Sequence, residues 1–140
     1  MKNKLILIFC ILISGSIYAQ EKLAEIKFDQ KLIDYGIVEF GIDGKKTFTF
    51  KNTGNAPLIF TRIYSSCGCT IPKKPEKPIM PGESSSIEVK YDTKRVGPFQ
   101  KAITVNSNAK TPNIILRIKG EVLPEEEEEE EEDDDDDKDN

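Results

Sequence analysis

The chain has 140 residues, a formal net charge of −5, three cysteines, no tryptophan and no histidine. That length suits one domain, and the lack of histidine excludes Ser-His and Cys-His nucleophilic pairs and imidazole zinc sites within the chain. The charge is divided, with residues 125–140 summing to −13, residues 21–124 to +6 and Lys2 with Lys4 to +2, so a mildly basic body carries a strongly acidic tail.

Residues 1–4 form a short positive segment. Leu5 to Ile13 is an apolar core of nine residues, too short to cross a bilayer as a helix, and Ser14 to Ala19 is a run of mostly small residues ending in Ile17-Tyr18-Ala19. The pattern predicts a secretory signal over residues 1–19, cleaved after Ala19, with retention as an anchor the alternative. Cys10 lies within the apolar core behind Ile8-Phe9, not behind the small residues that a lipoprotein signal requires, so it is not read as a lipid anchor. The mature protein is then expected in the periplasm or outside the cell, without a membrane span. It keeps Cys67 and Cys69 in a compartment that permits disulfides.

Residues 20–124 read as one all-β domain. Ile26 and Phe28 alternate with charged neighbours, Asp34 to Val38 is a short piece broken by Gly36, and Gly41 to Gly44 is a turn. Lys46 to Lys51 alternates strictly, with Phe48 and Phe50 on one face and Thr47, Thr49 and Lys51 on the other, as a half-buried antiparallel strand does. Asn52 to Asn55 is a turn by residue type, and Pro57 to Tyr64 is the next expected strand. Four prolines within residues 72–81 predict a loop or sheet edge, because proline donates nothing to a ladder. Ile87, Val89 and Tyr91 alternate with polar residues, Lys101 to Asn106 alternates through Ile103 and Val105, and Ile114 to Val122 closes the domain with Ile114, Leu116 and Ile118 on one face. Short strands at this spacing, with Gly, Pro and Asn turns and no helical period, indicate an antiparallel β-sandwich of about seven strands.

The chain resembles the bacterial domain-of-unknown-function family fifteen-seventy-three. The resemblance lies in Tyr35-Gly36-Ile37-Val38, Phe48 to Ile59 with its Lys51-Asn52-Thr53-Gly54-Asn55-Ala56-Pro57 turn, Ser66-Cys67-Gly68-Cys69-Thr70 and Pro81-Gly82-Glu83. It continues through Gly97-Pro98-Phe99-Gln100-Lys101 and Ile103 to Asn108, and so covers almost all of residues 26–122. It implies an immunoglobulin-like sandwich, akin to the modules of major sperm protein and hydin, in an exported bacterial protein. It implies no established activity.

Cys67, Gly68, Cys69 and Thr70 form the candidate functional motif. Cysteines at i and i+2 reach disulfide separation if the chain bends, and Gly68 makes the bend easy. Such a small ring should be strained and easily reduced. Three readings stay open: a bridge or packed thiols that shape a loop, a redox-active dithiol, and a pair of thiolates for a soft metal such as Cu(I). Zinc would need ligands from a second chain. Lys73, Lys74 and Lys77 form a small basic cluster, read as a solvated loop or a landing site for an acidic ligand, while Phe60 and Tyr64 are read as core or, if exposed, as interface. The second candidate is the tail: Glu125, Glu126, Glu127, Glu128, Glu129, Glu130, Glu131 and Glu132, then Asp133, Asp134, Asp135, Asp136 and Asp137. It cannot bury apolar area and repels itself, so residues 125–140 are expected to be disordered. The tail serves solubility, binds a basic partner or surface, folds back on the basic body, or captures Ca²⁺ loosely. The combined expectation is a non-enzymatic, exported binding or scaffolding module without cofactor, metal or nucleic acid, which engages a protein partner in the cell envelope through its loops and tail. The alternative is a thiol-redox or copper-handling protein built on Cys67 and Cys69.

Overall fold

In a computed structural model, which describes residues 21–126, eight strands follow one another without a helix: β1 (Ile26–Phe28), β2 (Leu32–Val38), β3 (Lys45–Asn52), β4 (Phe60–Ser65), β5 (Thr70–Lys73), β6 (Ser84–Tyr91), β7 (Gly97–Ser107) and β8 (Asn113–Val122). The segments with the cleanest alternation become the central strands. Phe48 and Phe50 of β3 point inward with Ile87 and Val89 of β6, while Thr47, Thr49, Glu88 and Lys90 face out. Ile114, Leu116 and Ile118 of β8 are buried as their period requires, opposite Val105, Ile103 and Lys101 of β7.

Two four-stranded sheets result, in the orders β1-β3-β6-β5 and β2-β8-β7-β4, and their inner faces form one apolar core. Phe50 sits at its centre, with the rings of Phe28 and Phe60 at 5.5 and 5.2 Å. Removing each such side chain from water contributes about 1.5–3 kcal/mol, which places the main driving force here. No helix among the described residues is long and apolar enough to cross a membrane. The expected signal over residues 1–19, Gln20 and the tail beyond Glu126 lie outside the described residues.

The sandwich differs from the expected one in two respects. The sheets are not wholly antiparallel, because β2 runs parallel to β8, with Leu32 beside Arg117 and Val38 beside Val122. A turn at Asp29–Lys31 carries the chain from the first sheet to the edge of the second, and this crossing sets the direction of β2. The strand expected from Pro57 begins only at Phe60, because Leu58 first exchanges two 2.9 Å hydrogen bonds with Ile79 on the other sheet's side before the chain joins β7. The start of the proline-rich segment is strand β5, which occupies a sheet edge and so tolerates Pro72 in its ladder.

Asn52, expected in a turn, ends β3 fully buried. Its Nδ2 donates to the carbonyls of Ala56 and Ile79, each at 2.9 Å, and its Oδ1 accepts from the amides of Gly54 at 3.0 Å and Glu25 at 3.4 Å. One side chain thus joins the entry to β1, the β3–β4 turn and the β5–β6 loop.

Candidate functional site

The Cys67–Thr70 motif forms the corner between β4 and β5, where the chain leaves one sheet for the other. The corner is tied on both sides. The Ser66 amide donates to the Ala102 carbonyl at 3.0 Å, and the Ala102 amide donates to Ser66 Oγ at 3.4 Å, so β7 holds one limb. The Cys69 carbonyl accepts from the Asp92 amide at 2.9 Å, which joins the other limb to the β6–β7 loop. Within this frame Cys67 and Cys69 form a disulfide with a Cα separation of 5.4 Å. The bend is made at Gly68, around which there is open space.

The two sulfur positions differ. Cys69 is 3% exposed, and the Thr70 hydroxyl, itself buried, lies 3.9 Å from its Sγ. Cys67 is half-buried at the rim of the core. A bridge that skips a single residue restricts the unfolded chain little, under about 2 kcal/mol on the loop-closure account. In the bridged form neither sulfur is a thiolate, so this form offers no soft-metal pair. Among the described residues no three His, Cys, Asp or Glu side chains gather as a metal site would need.

The same end of the sandwich carries an aromatic cluster. Tyr91 stacks on Phe99 at 3.8 Å, and Tyr35 meets Phe99 edge-on at 5.4 Å. The Tyr35 hydroxyl donates to the Gly44 carbonyl at 2.8 Å. Burial, helped by the negative charge of Asp43, pushes the Tyr35 phenol up to about 12, and burial likewise raises Tyr91. Both stay protonated at neutral pH; Tyr35 packs and donates to Gly44, and Tyr91 packs on Phe99.

The lysine cluster separates in the fold. Lys74 Nζ donates to the Phe60 carbonyl at 3.2 Å and so covers part of the open edge of β4, whereas Lys73 stands on the outer face of β5 beside Glu88. Lys77 is an exposed loop residue. Phe60 is core, while Tyr64 is 42% exposed.

Tyr64 belongs to a surface that sequence reasoning missed, the outer face of the β2-β8-β7-β4 sheet. The ladder places Tyr64 beside Thr104 and Thr104 beside Ile115, and in the neighbouring row Ala102 beside Arg117 and Arg117 beside Leu32. Ile115 is 52% exposed and Leu32 44%. The Arg62 guanidinium lies 4.6 Å from the centre of the Tyr64 ring, a cation–π contact on the open surface. The signal for this face is local: Ile115, between Ile114 and Leu116, is apolar in the phase of β8 that faces solvent.

The sequence profile of a family described as "Protein of unknown function (DUF1573)" matches residues 26–122. No curated protein matches the sequence. Among solved structures, a protein of unknown function from Porphyromonas gingivalis W83 superposes with a TM-score of 0.64 at 17% identity, covering 76% of this chain and 51% of that one, so the chain spans about half of that protein's length. PapD-like domain 7 of human CEP192 superposes with a TM-score of 0.57 at 10% identity, over 77% of this chain and 91% of that one. The VesB protease of Vibrio cholerae does so with a TM-score of 0.54 at 18% identity, over 83% of this chain and 35% of that one. At such identities the likeness is one of fold, an immunoglobulin-like, PapD-like sandwich.

Proposed function

The chain belongs to the DUF1573 family of proteins of unknown function, and from its sandwich we propose that it is an exported, non-enzymatic module of the cell envelope that binds another protein. The observation that carries this reading is the outer face of β2-β8-β7-β4. Tyrosine and arginine are the residue types that dominate protein interfaces, and here Arg62 holds the Tyr64 ring in a defined place before any partner arrives. Ile115 and Leu32 extend the face with apolar area, and Arg117 gives it a second cation. The matching partner surface is apolar at its centre with carboxylates opposite the two arginines. The loops add contacts at the rim. Export rests on the segment at residues 1–19, whose pattern of charge, apolar core and small residues is that of a cleaved signal.

Tyr64→Ala combined with Ile115→Ser tests the reading. Crosslinking in intact cells followed by purification should recover a partner with the natural chain and lose it with the variant, while thermal unfolding stays the same because both residues face solvent. A variant that retains every crosslinked partner would refute it. In the same material, intact mass should place the N-terminus at Gln20.

A second reading rests on the unequal exposure of the two sulfurs. An incoming thiolate from a dithiol protein attacks Cys67 Sγ, the S–S bond breaks, and Cys69 leaves as a thiolate beside the Thr70 hydroxyl. The partner's second thiol then displaces Cys67, which oxidises the partner and leaves Cys67 and Cys69 reduced, able to hold Cu(I). A count of free thiols before and after incubation with a reduced dithiol protein decides between the readings: a rise to about two per chain supports exchange or copper handling, and no rise supports the structural bridge.

A further inference from the structure

The outward side of the β1-β3-β6-β5 sheet is flat, hydroxylated and basic. Register places Lys27 beside Lys51, Lys45 beside Lys90, and Lys73 beside Glu88. Between them stand Thr47, Thr49, Ser84 and Ser86, all exposed, with Glu88 beside Thr47 and the exposed Ile71 beside Lys90. Five exposed lysines stand against Glu88 and, at the rim, Glu25, Asp29 and Glu76, a net charge of +1. None of the five is in an ion pair among the described residues. The other outer face carries Arg62, Arg117 and Lys119 against Asp34 and Glu121, and there Lys119 is held by Asp34 at 3.1 Å. Like charges directly opposite in a ladder are unfavourable, and this face carries two such lysine pairs. An extended polyanion laid along the strands relieves both.

We propose that this lysine face is the seat of the chain's own acidic tail. The tail carries −13, and it starts in the right place. The Leu123 amide donates to the Val38 carbonyl at 2.8 Å, so the chain leaves the sandwich at the end where the β2–β3 loop crosses from one sheet to the other. That loop ends at Gly44, bonded to Tyr91, and Lys45 and Lys90 follow directly on the outer side. Packed sheets lie about 10 Å apart. The residues after Glu126 extend to about 45 Å at roughly 3.3 Å each, enough to round the end of the sandwich and follow β3 and β6 along the face. Because these charges are exposed, the contact acts only within about 8 Å at physiological salt and weakens as salt rises. An external polyanion reaches the lysines by displacing the tail.

Zero-length carbodiimide crosslinking of the full-length protein at low salt, followed by peptide mapping, tests this. Tail carboxylates should join Lys45, Lys51 and Lys90 several-fold more often than Lys22, Lys31, Lys110 and Lys119, and the preference should fade as salt is added. In a variant with Lys51→Glu and Lys90→Glu the preference should vanish. An even spread over all lysines would overturn the proposal. So would crosslinks that, in a mixture of isotopically heavy and light protein, join different copies and not one chain to itself.

Discussion

At the scale of single residues, the most consequential side chain is an amide that carries no chemistry. Asn52 satisfies two amides and two carbonyls in three segments from a fully buried position. Asn52→Ala leaves those groups without their partner, and buried unpaired groups cost about 1–3 kcal/mol each before relaxation. The expected loss is about 3 kcal/mol in urea unfolding, seen as a lower midpoint at unchanged slope; a loss below about 1 kcal/mol would mean that water replaces the side chain. Tyr35 has a different signature. Its folded pKa lies above that of the unfolded chain, so its contribution is present in full below about pH 10 and is lost as pH rises through about 12. Wild-type stability should fall by about 2–3 kcal/mol across that window beyond what Tyr35→Phe loses, and equal alkaline slopes for the two proteins would refute the assignment. Neither role is legible in sequence. Asn52 reads as a turn residue because its partners, Ile79 above all, are distant in the chain, and a phenol's burial depends on a loop that packs over it.

At the scale of elements, legibility follows periodicity. The strands β3, β6 and β8 are visible because each has one wet face and one dry face, and the dry residues, Phe48, Phe50, Ile87, Val89, Leu116 and Ile118, are all fully buried. The Cys67–Thr70 corner is visible as a motif, and the chain turns at Gly68 between the two cysteines. Strand direction leaves no mark on local pattern, which is why the parallel pairing of β2 escapes. The lysine face escapes because its members are far apart in sequence and converge only through register. Close approach of elements is equally hidden. A Cβ at Gly44 would collide with the Tyr91 carbonyl oxygen at the point where the β2–β3 loop meets β6. Backbone cannot turn aside as a side chain can, so Gly44→Ala should cost about 3 kcal/mol in thermal or chemical unfolding. Wild-type stability in that variant would show that the loop moves freely from the sheet.

At the scale of the whole molecule, the buried core ends before the strongly charged run of the sequence begins. Val122 is the last buried residue among those described, and Leu123 is exposed. Truncation after Pro124 should therefore change stability by less than about 0.5 kcal/mol, a shift in melting temperature of no more than about 4 °C for a domain of this size. A truncated protein that fails to unfold cooperatively would show that the tail is part of the fold.

The parallel pair also bears on when the domain can exist at all. Leu32 to Val38 hydrogen-bonds to the last strand, so an element near the front of the domain waits for the one that finishes it. Little of the second sheet can form from a partial chain, since β7, its other long strand, also leans on β8 along its whole length. Such distant pairing puts loop closure before reward and slows folding into the range of milliseconds to seconds. A chain that appears from its N-terminus therefore stays loose through seven strands and closes only when β8 has emerged.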